Sequence, residues 1–431
     1  MAEIQHLPHG FSYKNSKLYV ENICYTELVE RFGTPILAFS EATLISNLTV
    51  FRNAATKYLD RTSIHFALKS CYFAPVLQAL CKNGVNAEIM SEMEYHLAIL
   101  AGWKPSQIIW NGPGKTIQDF EIGVKNKIKC INIDSFSEFE KLETICKRLN
   151  RQQTVGIRIH PDDQGLDTAF IKRGERLGLD VLSEDTIRLF QMVSKSPWVN
   201  LKGIHAHIFV RNSSVNIYRK YIHSLCLSLR QFNNMFDANP IVLNVGGGFE
   251  TRSLLQQNGL YFKDFIKAAA TEIKKTELPI EVVFEPGRCI ANDACVALTK
   301  VITKKDNAGK TWLMVNIGSN ILIPLANAGY QVVNAMITDN SYKTMSVGDQ
   351  MCYSAGIIQK DVPLLPVSEG DVLAVLQCGA YTYSMAEFFG YTLPSLIWVS
   401  GTHANLIQKS LSPEKGAKMI FNGYNFSNEL Q

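Results

Sequence analysis

The stretch Ser63-Ile64-His65-Phe66-Ala67-Leu68-Lys69-Ser70 reads as a short apolar strand that runs directly into a lysine. Working outward from it, seven further runs of the same texture follow: 85–89 (VNAEI), 107–111 (QIIWN), 129–133 (KCINI), 154–159 (TVGIRI), 203–208 (GIHAHI), 241–245 (IVLNV) and 281–285 (EVVFE). Amphipathic segments separate them. In 91–101, Met93, Leu97 and Leu100 fall at helical spacing, and 185–195 carries Ile187, Leu189, Phe190 and Val193. Eight strands alternating with helices predict a closed, TIM-like (β/α)8 barrel over residues 35–288. An open doubly wound sheet gives no reason for a count of eight.

Beyond residue 288 the texture changes. Apolar runs at 294–302, 311–317, 371–377 and 394–399 are joined by turns without helical alternation, which predicts an all-β domain. The first 34 residues read as extended or irregular, with Lys17-Leu18-Tyr19-Val20 as a strand. They are expected to complete that domain, so that 1–34 with 289–431 form one discontinuous β-domain. The fold class expected is thus α/β plus all-β.

The bulk composition narrows the function classes. Of 431 residues, 46% are hydrophobic and 19% charged, the balance of a globular enzyme. A net charge of +4 without a basic block gives no ground for a nucleic-acid partner. The ten cysteines include no Cys-x-x-Cys pair, which fits reduced thiols. Met1-Ala2-Glu3-Ile4-Gln5-His6 lacks the charged-then-apolar pattern of a leader, and no apolar run has the length of a membrane span. A cytoplasmic enzyme is the expectation.

In a barrel of this type the chemistry lies at the C-terminal strand ends. Lys69, Arg158, His207, Gly246-Gly247-Gly248 and Glu285 all fall there, with Gly287 and Arg288 just beyond. A lysine in that position is either a snorkelling surface residue or an amine of depressed pKa that bonds an aldehyde. Three glycines after the seventh strand mark either a tight turn or the habitual phosphate loop of barrels. Arg288 adds a charge-assisted bond to the same anion. Glu285 is either an ordinary strand-end carboxylate or the partner of a pyridine nitrogen, keeping that ring an electron sink. His205-Ala206-His207 raises a metal site, but no acidic or cysteine ligands accompany it. A histidine stacked on a cofactor ring suits the position of His207 better. Together these groups are what a pyridoxal 5'-phosphate site requires. Cys352 and Tyr381, read alone, are a core thiol and a packed aromatic.

Taken together, the segments resemble the fold-type III pyridoxal-phosphate-dependent amino-acid decarboxylases, the diaminopimelate and ornithine decarboxylase group, whose barrel is alanine racemase-like. The likeness runs from about Gly33 to Ser400. It rests on Phe66-Ala67-Leu68-Lys69, Ser91-Glu92-Met93-Glu94, Asn111-Gly112-Pro113-Gly114-Lys115 and Ile157-Arg158-Ile159-His160-Pro161. To these add Gly203-Ile204-His205-Ala206-His207, Gly246-Gly247-Gly248-Phe249, Glu285-Pro286-Gly287-Arg288 and Cys378-Gly379-Ala380-Tyr381.

The resemblance implies that Lys69 bonds the cofactor aldehyde and His207 stacks on its ring. Glu285 would hold the ring nitrogen, with Glu88 the acidic residue near the cofactor. Gly246, Gly247, Gly248, Arg288 and Tyr381 would bind the phosphate. Cys352, from the other subunit of a head-to-tail homodimer, would protonate the carbanion. The substrate positions depart from the family. Tyr353 and Gly356 stand where the diaminopimelate enzymes carry glutamate and aspartate, and Ile323 stands where an arginine is expected. Phe209-Val210 replaces the usual Gly-Ser. A pocket without these charges should reject diaminopimelate, lysine and ornithine, whose charged ends would be buried unpaired. The departures resemble tailoring decarboxylases of siderophore and antibiotic pathways, which act on amino acids coupled to citrate or to a carrier protein. The alternatives are a racemase or epimerase on the same barrel, which usually sets an arginine at the ring nitrogen, and a non-catalytic regulatory homologue.

Overall fold

The computed structural model describes residues 7–161, 176–236, 239–323 and 329–422. The chain divides into two compact units, one of residues 47–290 and one of residues 1–46 with 291–431.

In the first unit eight parallel strands close on themselves. In chain order they are Thr62–Ala67, Asn86–Ile89, Ile108–Trp110, Cys130–Ile133, Gln153–His160, Val199–His205, Ile241–Asn244 and Ile280–Phe284. Each pairs with the next, and the eighth returns to the first with Phe284 opposite Ile64. The sixth strand starts at Val199 rather than 203 and stops at His205. Its first half alternates Asn200 and Lys202 with Val199 and Leu201, which conceals a strand from a search for apolar runs.

The helices after the second, third, fourth and sixth strands begin on Ser or Thr caps, which fixes where each of those strand ends hands over to its helix. Ser91 accepts from the Glu94 amide, Thr116 from Asp119, Ser135 from Glu138 and Ser214 from Ile217. Phe51 packs edge-on against Phe249, Phe262 and Phe284 with centroids 5.3–5.5 Å apart. That contact anchors the loop after the seventh strand, because Phe249 directly follows Gly248.

The second unit is built on sheets. Its largest has Cys295–Asn307 beside Lys310–Val315 on one side and Ile36–Ser40 on the other. Ile36–Ser40 falls in the stretch 35–288 read as barrel, yet it pairs with Cys295–Asn307 and Ser395–Ser400. Its five residues are buried on both faces, as they would be in a barrel strand, so burial pattern does not separate the two settings. A small three-stranded sheet of Phe11–Lys14, Lys17–Val20 and Ile23–Cys24 shares a core with Val296, Leu298, Val333 and Ile397. The N-terminal stretch is not wholly extended. Tyr25–Phe32 is a helix with Leu28 buried and Glu27 paired to Arg31 one turn on, two turns too short to register as a period. Among the described residues no helix is long and apolar enough to cross a membrane.

Candidate active site

The site grows from the C-terminal ends of the barrel strands. Lys69 sits in a single 3-10 turn, Leu68–Ser70, immediately after the first strand. Its ammonium donates to Oε2 of Glu88 on the second strand, and the pair is asymmetric: the Lys69 side chain is 32% exposed and Glu88 not at all. The amine thus belongs to a partly exposed side chain while its counter-ion is sealed in the barrel. Gly287 brings the loop after the eighth strand against this turn. A Cβ on it would lie 2.8 Å from the Ser70 side chain.

Glu285 is buried and multiply held. Asn111 and Asn244 donate to its Oε1 at 2.9 and 2.6 Å, and Nε2 of His205 lies 3.4 Å from Oε2. Burial pushes its pKa up, but His205, Lys69 and the Asn111 bond outweigh that, and the carboxyl is held well below the usual carboxylate range. Asn111 also donates to Oε1 of Glu88 at 3.0 Å and accepts from Asn132 at 2.7 Å. The two carboxylates thus share one amide, and a row of asparagines on neighbouring strands supports both.

His207 lies two residues beyond the sixth strand and is only partly buried. The Gly247 amide donates to its Nδ1 at 3.0 Å, so that nitrogen carries no proton. Burial, with Lys69 and Arg158 nearby, lowers the His207 pKa to about 3 and keeps the ring neutral. His205 and His207, read as sharing a strand face, are used differently: the strand ends between them.

The glycine loop is built for close packing. Gly246 and Gly248 have φ of +66° and +86°, and a Cβ on Gly247 would meet the Glu285 carbonyl at 2.2 Å. The Gly246 amide donates to Oδ1 of Asn244, so the amides of Gly246 and Gly247 both point to acceptors inside the protein. These bonds hold the loop against the strand ends. Phe209, one of the departures from the family pattern, is buried edge-on against Tyr221 at 4.9 Å and lays its carbonyl over Gly248. Arg158 is buried in the fifth strand with Nη1 3.7 Å from Oδ2 of Asp134. Arg288 opens a four-residue helix after the eighth strand.

Around this core lies a second tier that sequence reasoning did not select. Glu94 is the third residue of its helix, takes the Met90 amide at 2.7 Å and the Tyr72 hydroxyl at 2.8 Å, and is fully buried. Burial and the nearby Glu88 raise its pKa to about 7. Lys115 is buried with Glu138, Nζ to Oε2 2.9 Å. Asn111, Asn132, Asn244 and His205 were equally missed as a group. The signal was present as period-two placement on the strands, since Asn132 and Asn244 stand where the side chain turns inward.

Cys352, Tyr353, Tyr381 and Ile323 belong to the other unit. Cys352 is the one exposed cysteine of the ten. Tyr353 is 44% exposed and packs edge-on against Phe389, itself 45% exposed, at 5.8 Å. Tyr381 has a φ of +58° in a turn whose Gly379 and Ala380 amides donate to Asn292. Gly356 has no room for a side chain: a Cβ there would lie 2.3 Å from Oδ1 of Asp349. Asp349 is already engaged, accepting from the amide and hydroxyl of Ser319, on another segment, and from the Met351 amide two residues on.

A partly exposed amine beside two buried carboxylates, one of them held ionised among amide donors, fits an aldehyde-bearing pyridinium cofactor. The family comparison agrees. The model of the pyridoxal-dependent decarboxylase pyridoxal-binding domain matches residues 47–292, more than half of the chain.

The chain belongs to the pyridoxal-dependent decarboxylase family.

It is accordingly a pyridoxal 5'-phosphate-dependent carboxy-lyase acting on an amino acid. Among its relatives, a diaminopimelate decarboxylase of Bacillus methanolicus is 25% identical, with 96% of this chain and 99% of that one covered. That of Bacillus subtilis is 26% identical over 95% and 97%. In structure the chain is similar to diaminopimelate decarboxylase from M. jannaschii in complex with L-lysine, with a TM-score of 0.85, 23% identity and 94% and 96% coverage. The Helicobacter pylori enzyme complexed with L-lysine gives a TM-score of 0.82 at 22% identity, covering 93% of this chain and all of that one. These neighbours share the closed eight-stranded barrel with a separate, mostly sheet domain.

Proposed function

We propose that this enzyme removes the α-carboxylate of an amino acid whose distal end carries no free charge. Support comes from one observation above all: Asp349 occupies the space that any side chain at Gly356 would need, and its oxygens are already taken by Ser319 and Met351. A distal ammonium would find no free carboxylate there, and Tyr353 and Ile323 offer it none. Burying such a charge unpaired costs several kcal/mol. Amino acids already coupled to citrate or to a carrier protein, as in siderophore or antibiotic assembly, have the required neutral end. Diaminopimelate is the competing substrate, favoured by the names of the relatives.

The residue roles proposed are those that the family resemblance implies, and the geometry is compatible with them. Lys69 would hold the cofactor through its aldehyde, and its amine stands where the substrate amine would enter. Bound pyridoxal phosphate supplies the electron sink for the pair left when the carboxylate departs as CO2. Glu285, kept ionised by Asn111, Asn244 and His205, holds a proton on the ring nitrogen, where a racemase would present an arginine. Neutral His207 would face the cofactor ring without competing for that proton. Glu88 orients the Lys69 amine, and Arg158 lies in the barrel wall beside the cofactor. Gly246, Gly247, Gly248, Arg288 and Tyr381 are assigned to the phosphate, and Gly287 to the cofactor site. In a homodimer with shared sites, Cys352 of the partner subunit delivers the proton that replaces the carboxylate on the α-carbon. Cytoplasmic residence fits ten reduced thiols.

The deciding experiment is a CO2-release screen of the cofactor-loaded enzyme. Diaminopimelate, lysine, ornithine and arginine would be run beside citryl- and carrier-linked amino acids. Release from a conjugate alone is expected. Efficient release from free diaminopimelate would overturn the neutral-end reading and leave the decarboxylase assignment standing.

A further inference from the structure

Two loops run side by side beyond the C-terminal rim of the barrel: 206–214, after the sixth strand, and 245–251, after the seventh. They continue the pairing of the strands below them. The Ala206 amide donates to the Asn244 carbonyl at 3.0 Å and the Asn212 amide to the Gly248 carbonyl at 2.7 Å. The Glu250 amide returns to the Asn212 carbonyl at 3.2 Å. Between these bonds a Cβ on Gly248 would lie 2.5 Å from the Phe209 carbonyl oxygen, so the two backbones touch there with no side chain between them. This seam contains His207 and the whole glycine loop.

An ion pair closes its far end. Nε of Arg211 lies 2.6 Å from Oε2 of Glu250, and the two side chains are 19% and 8% exposed. The other Glu250 oxygen, Oε1, accepts the Thr251 amide at 2.8 Å, so the carboxylate is pinned to its own backbone and the guanidinium must come to it. Arg211 does so from a φ of +57°, in the left-handed region that a residue with a Cβ keeps only when its surroundings hold it there. Asn212 fixes the next step, its Oδ1 accepting the Ser214 amide at 2.8 Å where the following helix is capped. Removing either partner of a largely buried pair leaves the other charge unmatched, so the pair holds or fails as a unit.

We propose that Arg211 and Glu250 are positioning residues for the cofactor phosphate: their ion pair keeps the glycine loop seated against the sixth-strand loop in the arrangement that receives the anion. The inference rests on the assignment of Gly246, Gly247 and Gly248 to that phosphate. Without the pair, Arg211 relaxes toward negative φ, Asn212 loses its register, and the seam opens first at Gly248. The ring end keeps its own bonds, since the Gly247 amide meets His207 and Glu285 is held by Asn111 and Asn244.

The test compares ligands with and without the phosphate. The full chain, stripped of cofactor with hydroxylamine, is titrated with pyridoxal 5'-phosphate and with pyridoxal, reading the absorbance of the bound ligand. Arg211→Met and Glu250→Gln should each weaken pyridoxal 5'-phosphate by about tenfold or more and pyridoxal by less than about twofold, and the double variant should be no weaker than the worse single one. A merely structural pair would move both ligands together. Equal losses for the two ligands, no loss for either, or losses that multiply in the double variant overturn the proposal. Gly248→Ala, which forces the loops apart directly, should show the same selective loss. If it does while the ion-pair variants do not, the ion pair has no positioning role and the phosphate loop stands. If Gly248→Ala spares pyridoxal 5'-phosphate, the loop assignment fails and the proposal with it.

Discussion

The Lys69 ammonium donates to Oε2 of Glu88, a carboxylate with no exposed surface. An ion pair with one end sealed and the other open places a reactive amine at a fixed point, because the buried partner cannot swing out to follow it. Replacing Lys69 by Ala removes the only group assigned to bond the cofactor. Borohydride reduction followed by peptide mass analysis should find the pyridoxyl group on Lys69 in the native enzyme and nowhere in the variant. An adduct that survives in Lys69→Ala would sink the assignment.

Glu285→Gln changes charge while keeping shape. Its amide oxygen can still accept from Asn111 and Asn244, so the barrel should fold and load cofactor as before. What is lost is the negative charge at the ring nitrogen. Turnover should fall about a hundredfold or more with cofactor content unchanged. A variant that turns over at the native rate would show that another group keeps the ring protonated.

Glu94 makes stability depend on pH in an unusual direction. Its pKa rises from 4.5 to about 7 on folding, so the folded chain binds the extra proton. The stability this contributes is present below the unfolded value and is lost as pH rises through the folded one. Glu285, held below its ordinary range, acts in the opposite sense and only in more acid solution. Urea unfolding of the cofactor-free protein should therefore show Glu94→Gln gaining on the native chain between about pH 5 and about pH 8, by on the order of a few kcal/mol. A pH-independent difference would mean that Glu94 is ionised throughout.

Cys352 is the exposed cysteine among ten, and burial raises the thiol pKa of several others, Cys71 and Cys130 each to about 12. A limiting amount of iodoacetamide should label it first, and bound substrate should slow that labelling if it faces an active site. Cys352→Ala should lower kcat by about tenfold or more with little change in KM, as loss of a proton donor does. Labelling that substrate leaves untouched would remove Cys352 from the reaction.

Gly356→Asp restores the family's acidic residue but drives its Cβ into Asp349. Overpacking of this kind costs about 1–3 kcal/mol, so the thermal midpoint should drop. No decarboxylation of lysine or diaminopimelate should appear. An undiminished midpoint would show that the loop yields and that the space is not closed.

The eight-strand alternation, Lys69 after the first strand and Glu285 after the eighth were legible in the sequence, because a barrel writes its period and its active end into the order of strands. The same reading missed the helix Tyr25–Phe32 and gave Ile36–Ser40 to the barrel. A two-turn helix is too short to show a period, and a strand buried on both faces reads alike in any sheet.

What the sequence by itself determined was which residues stand at strand ends. What tertiary structure decided was which of them share a bond. Asn111 joins Glu88 to Glu285, the latter 174 positions beyond it in the chain, and Asp349 closes the space at Gly356. Periodicity reports the direction in which a side chain points, one strand at a time. Contacts across the barrel depend on stagger and closure, which exist only once all eight strands are paired.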